Sequence, residues 1–357
     1  MGSRGIPNYY GGFEQFAQYL SAGLQQRGHE VFVYNSHRHP YKKTKWNGVH
    51  IIHCKDPEQT LGTAGQFLYD RNCLRDARNR NFDVLLHLGY TSDSIWHRHW
   101  PGEAINIVNM DGLEWQRKKY NRLTRWFLKK AESLAARKGN VLVADSPVIK
   151  EYLEKKYQKE AHFIPYAAEV FSGPDPVYLQ RFNLQPGAYY LLIARMVPEN
   201  NIEMIIRGFL ASSAQYPLLI IGDTSNRFGS YITSVYNRKN IHYPGPLYDQ
   251  VVLNNLRFYC AGYFHGHSAG GTNPSLLEAM ACGCDIIAHD NSFNRSVLGD
   301  DACYFSSSEA VSNTLSARND RAEKEKRSKA NLEKIKQQYS TAGIIDRYEN
   351  LMLESKK

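Results

Sequence analysis

Short apolar runs alternate with helix-period patterns from one end of this chain to the other, and that alternation constrains its fold more than any other feature. Residues 31–34, 49–53, 84–87, 105–108, 141–144 and 162–164 read as strands; after a break, so do 189–193, 218–221, 263–265 and 285–288. The segments between them carry apolar residues at helical spacing. Phe13, Phe16, Ala17, Leu20, Gly23 and Leu24 share one helix face, and Gly28 marks its stop. Strands separated by helices are the pattern of parallel sheets with crossover helices, so the fold class is α/β.

At 357 residues the chain is long enough for two domains. The strand 162–164 ends at Pro165, and Phe171-Ser172-Gly173-Pro174-Asp175-Pro176 reads as a connecting loop. The expected organisation is therefore a Rossmann-like domain over 1–168 and a second over 169–338. A final helix over 339–357, with Ile344, Ile345, Tyr348 and Leu351 on one face, is expected to pack back toward the first domain. Two such domains facing each other across a cleft give ligands a place to bind.

The chain begins Gly2-Ser3-Arg4-Gly5-Ile6-Pro7-Asn8-Tyr9-Tyr10-Gly11-Gly12, and this glycine-rich loop runs straight into the first helix. Such a loop suits an anionic or hydroxyl-rich ligand; a tight turn with no ligand role is the equal alternative. A doubly wound domain normally feeds this loop from a strand. Only Met1 precedes it here, so the expectation is a missing first strand and a weakened N-terminal sheet.

The net charge of +9 permits anionic partners. Much of it sits in 117–138, a basic segment in which Leu123, Trp126, Phe127, Lys130, Ala131 and Leu134 are expected to share a helix face. Such a helix either lies on anionic lipid or is an ordinary solvated surface helix. Zinc-finger spacing, RNP aromatics and a helix-turn-helix pattern are missing, which disfavours nucleic acid. No run approaches the roughly 20 apolar residues of a membrane span. The polar N-terminus does not read as a signal peptide, so the expected location is cytoplasmic, with peripheral contact at the inner membrane face. The six cysteines lack Cys-x-x-Cys spacing and read as buried thiols.

The chemistry concentrates in the second half. His265-Gly266-His267-Ser268-Ala269-Gly270-Gly271-Thr272-Asn273-Pro274-Ser275-Leu276-Leu277-Glu278 joins a strand to a helix. Thr272 or Asn273 caps the helix, Pro274 opens it, and amides near 271–275 suit a diphosphate. Glu278, about one turn in, is placed to accept from vicinal ribose hydroxyls. Arg195 follows the strand 189–193 and offers paired donors to phosphate oxygens. Gly222-Asp223 follows the next strand and is a candidate lining of a nucleotide pocket.

With these residues in view, the second half resembles the nucleotide-sugar-binding domain of retaining GT-B glycosyltransferases of family 4. The first half resembles a narrower, bacterial rhamnosyltransferase-type branch. Three separated motifs carry that likeness: residues 2–14, Asn109-Met110-Asp111-Gly112-Leu113-Glu114-Trp115-Gln116-Arg117, and Gly270 through Glu278. The resemblance implies a GT-B fold with an acceptor-binding first domain. It implies transfer with retention, from dTDP-L-rhamnose or a UDP-sugar to a lipid-linked saccharide in surface-polysaccharide assembly. Arg4, Gly11, Gly12, Arg195, Asn200, Gly222, His267, Gly271, Thr272, Asn273 and Glu278 are the expected donor contacts, and Asp111, Glu114 and Arg195 the catalytic or orienting groups. Two departures stand out: Gly270 replaces the first glutamate of the broad family's Glu-x7-Glu motif, and Asn200 replaces its Pro-Glu-Lys lysine. No Asp-x-Asp motif occurs, so metal-independent transfer without a cofactor is expected. A nucleotide-sugar epimerase and a non-catalytic glycan- or nucleotide-sugar-binding partner are the competing readings.

Overall fold

A computed structural model describes residues 1–9, 11–117, 120–317 and 321–356. It divides into two compact units, Met1–Tyr166 with Thr341–Lys357, and Ala167–Ser340. Residues 118–119 of the basic segment, Tyr10 of the opening loop, and residues 318–320 and 357 lie outside the described residues.

In the first unit, β1 (Phe32–Ser36), β2 (Lys45–Trp46) and β3 (Val49–Cys54) form one sheet in the order β1-β3-β2. The strands β4 (Val84–Leu88), β5 (Ile105–Asn109), β6 (Val141–Ala144) and β7 (Ala161–Phe163) form another in sequential order. All pairings are parallel except β2 with β3. No strand joins β1 to β4 among the described residues. Met1–Arg4 stand between them instead. The Met1 ammonium donates to Leu86 O at 2.7 Å, Leu88 N–H donates to Met1 O at 2.9 Å, and Ser36 N–H donates to Arg4 O at 3.0 Å. The helix Thr341–Glu354 belongs to this unit, and its Tyr348 ring lies 5.3 Å from that of Phe16.

The second unit is built on one parallel sheet: β8 (Tyr190–Ile193), β9 (Leu218–Ile221), β10 (Ile241–Gly245), β11 (Gly262–His265), β12 (Ile286–His289) and β13 (Cys303–Phe305), in the order β10-β9-β8-β11-β12-β13. Its central strands are apolar throughout because helices cover both faces. Leu192, Ile220, Phe264 and Ile287 are fully buried, each stabilising the fold by about 1.5–3 kcal/mol. The helix Ile202–Ala211 packs Ile202, Ile205, Ile206 and Phe209 into that core.

Sequence patterning misses β2, β10 and β13, and all three are sheet edges. An edge strand needs no continuous apolar run, and β10 even holds Pro244, tolerated where a ladder bond is not required. The basic helix Arg122–Lys138 also departs from expectation. It buries Leu128, Ala131, Glu132, Ala135 and Ala136, a face rotated from the expected stripe, because Glu132 is drawn inward by Trp115, Tyr152, Lys156 and Tyr157. Leu123 and Trp126 are left 75% and 59% exposed.

Candidate functional site

In the second unit the strand order reverses between β8 and β11, and the loops leaving the carboxyl ends of an open parallel sheet diverge at such a point. Arg195 lies just beyond β8. Its side chain is exposed and holds no ion pair among the described residues. The following turn, Pro198–Asn200, is stitched to the loop after β11. Asn201 Nδ2 donates to Gly266 O at 2.8 Å, and Ser268 donates to Glu199 O through N at 3.1 Å and Oγ at 2.8 Å. Gly266 is needed there because a Cβ would lie 2.0 Å from Asn200 O. Gly222 lies just past β9, where a Cβ would meet Ala194 O at 2.2 Å.

These contacts revise two expectations. Asn200, expected at the donor, is buried and turns its amide onto Arg195 O at 2.8 Å. It shapes the loop that carries Arg195. Gly222 likewise permits close approach of two strand ends. Glu199 was not foreseen: it is buried, and its Oε2 meets no hydrogen-bond partner among the described residues. Its sequence signals were a carboxylate within a strand-end turn and its place as the glutamate of the Pro-Glu-Lys-like stretch Pro198-Glu199-Asn200.

The helix Pro274–Ala281 starts as the residue types dictate. Asn273 caps it by accepting from Ser275 N–H at 2.9 Å, while Leu276 and Leu277 N–H both donate to Asn273 O. The expected amide cradle over 271–275 therefore contracts to Gly271, Thr272 and Asn273, whose side chains are respectively absent, buried and engaged in capping. His267 stacks on His265 at 4.5 Å and 17°. His265 is fully buried, and burial holds its imidazole pKa well below the usual value, so it is neutral.

Glu278 is not an open carboxylate. Its Oε2 accepts from Arg257 Nη2 at 2.5 Å; Arg257 is buried and also donates to Asn254 Oδ1 at 3.1 Å and Ser275 Oγ at 3.4 Å. Burial opposes the guanidinium charge, and the Glu278 carboxylate more than offsets it, so the Arg257 pKa is raised. Arg257 fixes the orientation of Glu278. Sequence reasoning passed over it, though an arginine among Val252, Leu253 and Leu256 on a buried helix face was a legible signal.

In the first unit, Asp111 follows β5 and Asp145 follows the neighbouring β6. Both carboxylates act electrostatically on the buried phenols of Tyr166 and Tyr348, whose pKa values are raised chiefly by burial, with these charges adding to it. The phenols stay protonated, and two acids sit at adjacent strand ends. Asp145 was missed, although an acidic residue directly after an apolar strand marks it. Glu114 does not share this setting: it forms an ion pair with Arg117 at 2.6 Å, which disfavours a role as base. Arg4 is also committed. Its Nη2 and Nε donate to Glu58 at 2.6 and 3.1 Å, which raises its pKa and commits those two donors to the carboxylate. Gly11 and Gly12 are exposed at the start of the helix Gly12–Gln26, which lacks a side-chain cap. Amides at that end retain the partial positive charge of a helix N-terminus.

Comparison with known proteins bears on the fold. Residues 180–339 match the family described as "Glycosyl transferases group 1", and residues 1–169 match "Domain of unknown function (DUF1972)". No curated protein matches the chain. Among solved structures, sucrose-phosphate synthase from Thermosynechococcus elongatus is similar with a TM-score of 0.79 at 15% identity, over 96% of this chain and 93% of that one. HepE from Anabaena in complex with UDP-glucose gives 0.78 at 12% identity, covering 99% and 98%. WaaG, a glycosyltransferase involved in lipopolysaccharide biosynthesis, gives 0.72 at 14% identity, covering 98% of each chain. The fold is GT-B, with two Rossmann-like units. The match to the group 1 glycosyl transferase model falls within the second unit, and the protein is a glycosyltransferase.

Proposed function

We propose that this enzyme is a retaining, metal-independent glycosyltransferase that moves L-rhamnose from dTDP-L-rhamnose onto a lipid-linked saccharide during surface-polysaccharide assembly. Two observations in the second unit support the reading: an exposed Arg195 just beyond β8, in no ion pair among the described residues, and a Glu278 held in one orientation by buried Arg257. Cleaving a glycosyl–diphosphate bond develops negative charge on the leaving nucleotide, and a guanidinium placed at it stabilises that charge. A carboxylate with one oxygen anchored accepts ribose hydroxyls through the other. HepE, a structural neighbour, was solved with UDP-glucose, which supports a nucleotide-diphosphate sugar as donor class. The rhamnosyl assignment rests on the three-motif resemblance. Asp111, with Asp145 beside it, orients the acceptor hydroxyl in this reading.

The membrane-facing part of the proposal rests on the helix Arg122–Lys138. Leu123 and Trp126 project into solvent among Arg122, Lys129 and Lys130, all exposed. Apolar wedges ringed by cations suit an anionic headgroup surface. No helix among the described residues is long and apolar enough to cross a membrane.

A thermal-shift screen of dTDP-L-rhamnose, UDP-glucose and UDP-N-acetylglucosamine, in buffer containing chelator, tests the donor. Bound ligand raises apparent stability by RT ln(1 + [L]/Kd), so dTDP-L-rhamnose should give the largest shift and support transfer to a lipid-linked acceptor. A larger shift with a UDP-sugar overturns the rhamnosyl assignment. Transfer that is abolished by chelator and restored by magnesium overturns metal independence. An altered free nucleotide sugar without acceptor favours an epimerase.

A further inference from the structure

Two thiols converge on the residue that orients Glu278. Cys260 follows the helix Gln250–Phe258, which carries Arg257, and Cys284 follows the helix Pro274–Ala281, which carries Glu278. Cys260 Sγ donates to Arg257 O at 3.0 Å, and Cys284 Sγ donates to the same oxygen at 3.2 Å. The two sulfurs are also in hydrogen-bonding contact with each other.

Packing alone does not call for this arrangement. A buried thiol ordinarily behaves as a small hydrophobe with a weak S–H donor. Here two S–H groups crowd one carbonyl, although the Cys260 N–H already donates to it at 3.3 Å. Both residues are free thiols, and they differ in access. Cys284 is 2% exposed; burial, with Cys260 beside it, raises its pKa well above the ordinary thiol value, so it stays protonated. Cys260 is half-buried and meets solvent. One sulfur is open to a small reagent, and the other waits against it.

We propose that Cys260 and Cys284 form a dithiol modification site, which a peroxide oxidises to a disulfide that weakens donor binding through Arg257. In the first step Cys260 Sγ attacks a peroxide oxygen. The O–O bond breaks, Cys260 becomes a sulfenic acid, and its thiol proton leaves with the displaced hydroxide as water. In the second, Cys284 Sγ attacks the sulfenic sulfur. The S–S bond forms, the S–O bond breaks, and the Cys284 proton leaves with that hydroxyl as a second water. Two thiols are oxidised and one peroxide is reduced. The disulfide carries no S–H, so Arg257 O keeps its amide partner and loses both sulfur donors. The tails of the two helices become tied, and Arg257 shifts against Glu278. The effect on donor binding rests on the function proposed above; formation of the disulfide does not.

The test treats the full chain with hydrogen peroxide, with or without later dithiothreitol. Free thiols are alkylated, the digest is mapped by mass spectrometry, and binding of dTDP-L-rhamnose and of UDP-glucose is measured by calorimetry. Peroxide should yield a peptide linked through Cys260 and Cys284 and raise the donor Kd about fivefold, the worth of roughly one hydrogen bond. Dithiothreitol should reverse both, which separates modification from unfolding. Cys260→Ser and Cys284→Ser each keep a hydroxyl donor for Arg257 O and should show neither change. A bridge to the neighbouring Cys282, Cys260 over-oxidised without a bridge, or a Cys260–Cys284 bridge that leaves the donor Kd unmoved would overturn the proposal. A reduced chain that binds neither nucleotide sugar sinks the donor reading and the coupling with it, while the linked peptide still supports the modification site.

Discussion

Replacing Arg257 perturbs stability and donor binding through one ion pair. Its guanidinium is about 1% exposed, and its counter-charge, Glu278, lies 2.5 Å away with a side chain 17% exposed. The two partners are therefore unequal. Glu278→Ala strands a buried cation, for which the cost is about 3–5 kcal/mol. Arg257→Met removes the cation, keeps much of the volume, and leaves a carboxylate near enough to solvent to be hydrated; about 1–2 kcal/mol is expected. The double variant should recover part of the Glu278→Ala loss, because the stranded charge is gone. Urea unfolding of the four proteins measures this cycle. In transfer assays Arg257→Met should raise the donor KM about tenfold, equivalent to about 1.4 kcal/mol, with a smaller change in kcat, because Glu278 loses its fixed orientation. Strictly additive stability losses, with coupling under about 0.5 kcal/mol, would refute the pairing argument. An unchanged donor KM in a folded Arg257→Met protein would refute the orienting role.

Arg195→Ala should lower kcat/KM by about 10²–10³-fold while leaving the urea midpoint unchanged, since the side chain is exposed and carries no structural ion pair; steady-state kinetics and unfolding on one preparation check both. Leu123→Glu with Trp126→Glu should abolish co-flotation with anionic vesicles, and high salt should weaken binding of the parent chain; binding insensitive to both changes counts against the surface. His265 titrates far below its ordinary 6.5 because burial disfavours its charged form, so the unfolded chain takes up that proton first. Stability is then fully present above pH 6.5 and falls as the pH drops below it, by up to about 1.4 kcal/mol per pH unit. His265→Phe should flatten that limb of the urea-stability profile.

What was legible in the sequence follows from where each signal is generated. Central strands such as β8, β9 and β11 are buried on both faces, so their apolar runs reveal them; β2, β10 and β13 are edges and leave no such trace. The strand-loop-helix joint at 265–278 was readable because Asn273, Pro274 and Gly283 each act through local backbone geometry. Side-chain partnerships over long separations were not. Nothing near Arg4 signals Glu58, nothing near Glu278 signals Arg257, and the pairing of Glu132 with Trp115 and Lys156 rotated a whole helix away from its apparent stripe. Expectations built from residue type alone treated Arg4, Glu114 and Glu278 as open charges, whereas each is held by a partner that tertiary packing supplies.

The backbone that carries Arg195 is held by packing, and Gly266 tests it. Gly266 lies in the loop after β11 with its Cα against Asn200 O, and a methyl group there would sit 2.0 Å from that oxygen. Backbone cannot give way as a flexible side chain would, so Gly266→Ala must separate the loop from the Pro198–Asn200 turn. Overpacking of this kind costs about 1–3 kcal/mol. The separation also breaks the bonds from Asn201 to Gly266 O and from Ser268 to Glu199 O, which hold the two loops as one body. Arg195 stays chemically intact but loses its fixed position. The expected outcome is a kcat loss approaching that of Arg195→Ala, accompanied by the stability loss that Arg195→Ala lacks. A Gly266→Ala enzyme with reduced stability and normal kcat would show that Arg195 is positioned without this contact, and that the stitched loops serve folding alone.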